Sequence, residues 1–410
     1  MIRSIIIAFI LGCISCKKDA ITRPHKLISV VDSIMNHGSL ELVWHKRSNR
    51  AQICRGTFVY DAGVVFFIQE AKPNSKDEIL SLDLETGDTL WVWDEGPYFN
   101  NYRYIQGNTL YFTAGTSVCA IDCMTGKTLW EYQPPVNLAY MSLNVCEMGV
   151  YVSYQDRKPN PETNESILFE LDQNGQPTEI IRLNAYDRNG YTFNYDHVTP
   201  WQHPNGDIIL FCESRSWNYG PTNKGKGEYI AVNASSQSIY HDWGCFFNEV
   251  DIGGRCYLDD HIVYIASGWN QVAALDLLNN EVEWVQTIPD EQSTASLMPI
   301  AMFADHVLLS IGNKGHINVF NKTTGIISHT INGIGNEWFS TAYQFNDGYC
   351  WFTSTEGLYK LNQNFEIVTQ LLKEESLGTS RGSFTNGLDI GSDGKLYTTR
   401  GYDFVCLKQK

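Results

Sequence analysis

Two stretches carry residue types at spacings that could do chemistry. Gly378-Thr379-Ser380-Arg381-Gly382 fits G-x-S-x-G, which in a hydrolase lifts a serine nucleophile onto a sharp turn between a strand and a helix. Here a polar stretch precedes the serine and a strand-like run, 384–390, follows it, so the activating context is missing. Gly220-Pro221-Thr222-Asn223-Lys224-Gly225-Lys226-Gly227 approaches a phosphate-cradling loop. Gly227 stands where a Ser or Thr would bind magnesium, and the segment joins two strands instead of opening a helix. Cys119 and Cys123 share a strand face without histidines at metal-ligand spacing, so a zinc site is not expected. No C-x-x-C-H occurs, which argues against covalent haem. Asp259-Asp260-His261 sets carboxylates beside an imidazole, but similar turns recur along the chain, and it reads as a hairpin turn. No catalytic residue, metal or cofactor is expected from these motifs.

Binding chemistry is better represented. Aromatics crowd the intervening loops: Tyr98, Tyr102, Tyr186, Tyr191, Phe193, Tyr195, Trp201, Trp217, Tyr219, Trp269, Trp338 and Tyr402. Arg215, Arg381, Arg400, Asp187, Asp196 and His197 lie among them. Flat rings beside a few charges suit protein hot spots or sugar rings. About half of these rings are expected only to pack between elements or cover a channel mouth. The candidates for contact are Arg215, Trp217, Tyr219, Trp269, Trp338, Arg381, Arg400 and Tyr402.

The elements that must position them repeat. Cys119-Ala120-Ile121-Asp122 reads as a strand buried on both faces, Thr125-Gly126-Lys127 as a tight turn, and Trp130 closes a second strand. Asp122 stands where its carboxylate can accept backbone N–H groups of that turn. Asp83, Gly87 and Trp91 repeat the unit with the same spacing, and Asp276 and Trp284 repeat it with Asn279-Asn280 in the turn. Weaker copies sit at Asp172, Asn233, Asn321 and Asn362, so successive markers are 39, 50, 61, 43, 45 and 41 residues apart. Such periods mean an array of supersecondary units. Upstream of the copies lie apolar strands at 64–69, 109–115, 150–155, 208–214, 262–267, 307–312, 349–354 and 395–400. The eighth of these has only residues 404–408 after it. Its missing outer strand is available at 40–46, where Trp44 stands in the tryptophan role. The expected fold is therefore all-β: an eight-bladed β-propeller of four-stranded antiparallel blades, closed by pairing of the N- and C-terminal strands. Long excess loops fall at 156–166, 184–201 and 215–228.

Ala120, Asp122, Thr125, Gly126, Lys127 and Trp130 spell A-x-D-x-x-T-G-K-x-x-W, which resembles the tryptophan-docking repeat of PQQ-like (quinoprotein-type) β-propellers. The resemblance covers about residues 40–410. It implies that Trp44, Trp91, Trp130 and Trp284 wedge between blades while Asp83, Gly87, Asp122, Gly126 and Asp276 hold the hairpins. Quinoprotein dehydrogenases of that superfamily stack their quinone on a disulfide of adjacent cysteines. This chain has no Cys-Cys dipeptide, so oxidation through a quinone is the least favoured reading.

Residues 1–16 read as a targeting device. Arg3 precedes the apolar run 5–11, too short to span a bilayer, and small residues then precede a cysteine. This resembles a bacterial lipoprotein signal, with Cys16 or Cys13 as the acylated residue. Residues 17–39 read as a polar tether and 40–410 as the propeller. The net charge of −16 makes nucleic acid an improbable partner. Signal, size and repeat together are similar to the lipoprotein scaffold family of outer-membrane protein assembly. The expected function is a non-catalytic, membrane-anchored, monomeric scaffold of the cell envelope, at the outer membrane, gripping protein partners through rim loops. The alternative is an exported carbohydrate-binding or carbohydrate-processing propeller with a glycan as partner.

Overall fold

The computed structural model describes residues 39–47, 52–70, 77–95, 99–135, 137–156, 158, 164–184, 192–217, 226–244, 256–266, 271–288, 297–303, 305–311, 315–334, 343–344, 348–354, 356–372, 387–400 and 403–410. The expected signal and nearly all of the tether lie outside them. The described residues form strands β1 to β32 and no helix.

β1 (Leu40–Arg47) is set aside by the strands that directly follow it. Blade 1 is β2 (Gln52–Tyr60), β3 (Gly63–Glu70), β4 (Glu78–Asp83) and β5 (Thr89–Trp93). Blade 2 is β6 (Phe99–Gln106), β7 (Thr109–Ala114), β8 (Ser117–Asp122) and β9 (Thr128–Tyr132). Blade 3 is β10 (Leu138–Cys146), β11 (Gly149–Asp156), β12 (Glu165–Leu171) and β13 (Pro177–Asn184). Blade 4 is β14 (Thr192–Gln202), β15 (Ile208–Trp217), β16 (Lys226–Asn233) and β17 (Ser238–Gly244). Blade 5 is β18 (Tyr257–Asp259), β19 (Ile262–Ala266), β20 (Gln271–Asp276) and β21 (Glu281–Thr287). Blade 6 is β22 (Leu297–Phe303), β23 (His306–Ile311), β24 (His316–Asn321) and β25 (Ile327–Asn332). Blade 7 is β26 (Tyr343–Gln344), β27 (Cys350–Thr353), β28 (Gly357–Leu361) and β29 (Ile367–Leu372). Each is an antiparallel meander in sequence order. Blade 8 is β30 (Leu388–Ile390), β31 (Leu396–Arg400) and β32 (Asp403–Gln409), completed by β1 on its outer edge.

This last sheet closes the ring. Leu40 pairs with Gln409 and Arg47 with Asp403, with a register break between Leu42 and Trp44, and Lys410 N–H donates to Ser39 O at 3.1 Å. A second link joins the inner strands: Val59 N–H donates to Asp389 Oδ2 at 2.6 Å, from blade 1 to blade 8. Burial pushes the Asp389 carboxyl up to about 6.

The middle strands are buried on both faces, as a sheet sandwiched between two others must be. Val64 to Ile68 are at most 3% exposed, and Val118 to Ile121 likewise. The apolar core is correspondingly divided into eight clusters, each spanning one boundary between neighbouring blades. One of them packs Trp44, Tyr397 and Phe404 of blade 8 against Val64 and Phe66 of blade 1. Burying each such side chain contributes roughly 1.5–3 kcal/mol, so no blade is expected to stand without its neighbours.

Candidate functional site

The turns between third and fourth strands hold the blades together on one rim. Asp122 Oδ1 accepts Met124 N–H at 2.8 Å and Thr125 N–H at 2.9 Å, while Gly126 N–H donates to Asp122 O at 2.8 Å. Asp83 does the same for Glu85 and Thr86, and the backbone donors, Thr86 first, hold its carboxyl below the usual range. Asp172, Asn233, Asp276, Asn321 and Asn362 cap their own turns in the same manner. Every one of these turns has a residue with positive φ: Gly87, Gly126, Gly175, Gln237, Asn280, Gly325 and Phe365.

Side-chain type at that position follows the blade before it. Trp44 lies on Gly87, Trp91 on Gly126, Trp130 on Gly175 and Trp284 on Gly325; a Cβ on any of these glycines would come within 2.6–2.8 Å of the indole. Trp44, Trp91 and Trp284 also donate Nε1–H to Leu84 O, Cys123 O and Lys322 O, at 2.9, 2.7 and 3.0 Å. Each tryptophan occupies one register position: Trp91 opposite Ser81, Trp130 opposite Ala120, Trp284 opposite Ala274 and Trp44 opposite Cys406. Blades 4 and 6 put histidine there instead, His241 opposite Ala231 and His329 opposite Val319. The next turns then carry Asn280 and Phe365. In blade 3 the position falls to Thr178, with Ile180 buried nearby, and Gln237 of blade 4 donates to Glu179 O at 3.2 Å. Where an outer strand lacks tryptophan, the next blade's turn lacks glycine: Thr178 precedes Gln237, His241 precedes Asn280 and His329 precedes Phe365.

Because strands alternate in direction, the opposite rim receives the connections from second to third strands and from each blade to the next. All eight contact candidates belong to those connections or to the strand ends beside them. Arg215 and Trp217 end β15, and Arg400 ends β31; their side chains are outside the described set. Tyr219, Trp269, Trp338, Arg381 and Tyr402 lie outside the described residues altogether, as do the G-x-S-x-G stretch and residues 218–225. Trp201 is a correction. It lies near the end of β14, beside the turn on the other rim, and is only 6% exposed in the core between blades 4 and 5. Residues 184–201 read as loop from the sequence, whereas β14 occupies Thr192–Gln202 and sets Trp201 on a buried face.

One described network on this second rim was not singled out from the sequence. Lys158 Nζ meets Glu165 at 2.7 Å, Arg182 meets Glu165 at 3.1 Å and Glu179 at 2.8 Å, and Asn137 donates to Asp156 at 2.7 Å. The lysine and arginine hold the Glu165 carboxyl down. These contacts pin both ends of the β11–β12 connection. Nothing in the local sequence announces them, since the partners come from strands that pair only in the fold.

Asp260 sits at φ 56 in the β18–β19 turn, with His261 Nδ1 2.7 Å from its carboxylate and His261 Nε2 3.8 Å from Asp276. Asp276 is engaged as the turn cap, so the arrangement is structural. The thiols of Cys119, Cys123, Cys256 and Cys406 are pushed up to about 12 by burial, which removes thiolate character. Among the described residues no cluster of three or more His, Cys, Asp or Glu is arranged to hold a metal ion.

A family model described as outer membrane protein assembly factor BamB matches residues 36–151. BamB from Moraxella catarrhalis is similar in structure at 16% identity and a TM-score of 0.58, covering 90% of this chain and 99% of that one. A europium-containing methanol dehydrogenase is similar at 10% identity and TM-score 0.59, covering 90% and 93%. The Dos1 propeller is similar at 13% identity and TM-score 0.62, covering 90% and 95%. No curated protein sequence matches significantly. These comparisons support the resemblance to PQQ-like propellers, and at such identities the structural likeness is one of fold.

Proposed function

We propose that this chain is a non-catalytic scaffold of the bacterial cell envelope, tethered by a lipid on Cys16 or Cys13, that grips protein partners with one rim of the ring. The observation that carries the reading is the asymmetry of the two rims. Third-to-fourth-strand turns on one rim are built alike around an Asp or Asn cap and serve the seams. The strand ends at the other rim, where β15 stops at Trp217 and β31 at Arg400, lead into connections whose sequences differ blade by blade and which no repeat constrains. The match to the BamB description over residues 36–151 supports a protein as the partner and the envelope as the location. Similarity to a dehydrogenase is one of fold and brings no site with it.

Mild crosslinking of native membranes followed by purification of the chain tests the proposal. Co-purification of an envelope protein, lost in Trp217→Ala, is the expected outcome. Retention on a polysaccharide matrix, lost in the same variant while no protein is captured, would replace the proposal with the glycan reading. Dye reduction on adding quinone and calcium would overturn both.

A further inference from the structure

The boundary between blades 6 and 7 is built from different chemistry than its neighbours. His329 takes the register position that tryptophan holds at four other seams, and Phe365 (φ 62) takes the place of the glycine. A second imidazole, His306 at the start of β23, packs on the same phenyl ring. Ring centroids lie 4.9 Å apart for His306 and Phe365, and 5.1 Å apart for His329 and Phe365. Phe365 belongs to the core cluster of this seam, with Phe303, Leu308 and Ile331 on one side and Phe352 and Tyr359 on the other. His306 Nδ1 is buried without a hydrogen-bond partner among the described residues, and His329 Nδ1 lies 3.2 Å from Ser328 Oγ.

We propose that this boundary is an acid-labile seam: protonation of His306, packed with a second imidazole on one phenyl ring, loosens blade 6 from blade 7 while the seams at Trp91 and Trp130 hold. An indole carries no titratable group in the physiological range, so the seams at Trp91, Trp130 and Trp284 do not share this imidazole pair, while the Trp44 seam has a titratable group of its own in Asp389. A proton on His306 adds charge at a ring already shared with a second imidazole, with Nδ1 buried and unpartnered among the described residues, so the charged form meets burial and repulsion together.

The charged groups around the pair do not cancel that repulsion. Asp305 precedes His306, but its carboxylate is exposed and lies 3.7 Å from Lys322, which also holds Asp259 at 3.2 Å. On the blade 7 side Glu366 follows Phe365 and accepts Asn362 Nδ2–H at 2.8 Å. Burial first, and His329 second, hold His306 below the ordinary histidine range, against a smaller pull from Asp305. A histidine depressed in the fold binds protons more weakly than in the unfolded chain. The stability it permits is therefore complete above the unfolded value of about 6.5 and is lost as pH falls below it.

Hydrogen–deuterium exchange of the full chain at pH 7.5 and pH 5, corrected for intrinsic rates, tests this. Peptides covering β25 and β29 should gain protection factors several-fold lower at the acid pH, while those covering β5 and β9 change little. His306→Gln with His329→Gln should remove the difference. If that variant does not fold, His306→Gln with His329→Trp and Phe365→Gly installs an indole seam without the buried imidazole and should remove it equally. Uniform acid loosening of all seams, or a difference that survives either variant, would overturn the proposal.

Discussion

Gly126 shows how much one hydrogen atom matters at a seam. Its φ of 70° disfavours any side chain, and a Cβ there would sit 2.7 Å from the Trp91 ring. Gly107 has a similar φ of 57° but nothing within 4 Å of its Cβ direction. Gly107→Ala should therefore lose only the backbone preference, about 1 kcal/mol. Gly126→Ala should lose that and the packing of Trp91, about 3 kcal/mol in all. Urea titration of the two variants checks the comparison; equal losses would mean that the indole contact contributes nothing. At this scale the sequence was readable where residue type and conformation agree. Asp83, Asp122 and Asp276 stand before Gly or Asn turns, and their caps follow from side-chain chemistry. Gln237 and Phe365 take positive φ without any signal in their own type. The signal lies elsewhere, in the preceding blade's lack of tryptophan at the paired position.

Blade seams are the elements on which the ring depends, and they are unequal. Four are fastened by an indole on a glycine. The seam between blades 4 and 5 has His241 at the tryptophan register position and Asn280 at the glycine position of the next turn, its Oδ1 buried without a partner among the described residues. His241→Trp alone would press an indole onto the Asn280 side chain, and Asn280→Gly alone would leave a gap beneath an imidazole. Together they should recreate the pair seen at Trp91 and Gly126. A double-mutant cycle in thermal unfolding should show favourable coupling of about 1–3 kcal/mol; additivity would mean the two positions do not meet. Strand positions were legible because eight apolar runs recur, most of them just after turns rich in Asp, Asn and Gly, and all eight are second strands of blades in the structure. Seams without tryptophan were not, because a histidine or threonine on an outer strand looks like an ordinary polar surface residue.

The whole molecule is a ring whose ends meet in one sheet, with Leu40–Arg47 supplying the outer strand of blade 8. This was readable from two loose ends: an unpaired tryptophan strand at the start and a missing partner at the finish. The identity of whatever the rim grips was not readable. Repeats fix only what every blade needs, and the contact loops differ blade by blade. Net charge of −16 bears on non-specific association, not on the choice among protein partners.

The most direct test of a one-sided scaffold compares the two rims in the same cell. A photo-crosslinking residue placed at Trp217, at the end of β15, or at Trp269, in the sequence between β19 and β20, should capture a discrete envelope protein in native membranes. The same residue at Gln173, exposed in a capped turn of the opposite rim, should capture none. Capture from Gln173 with silence at Trp217 and Trp269 would contradict the account.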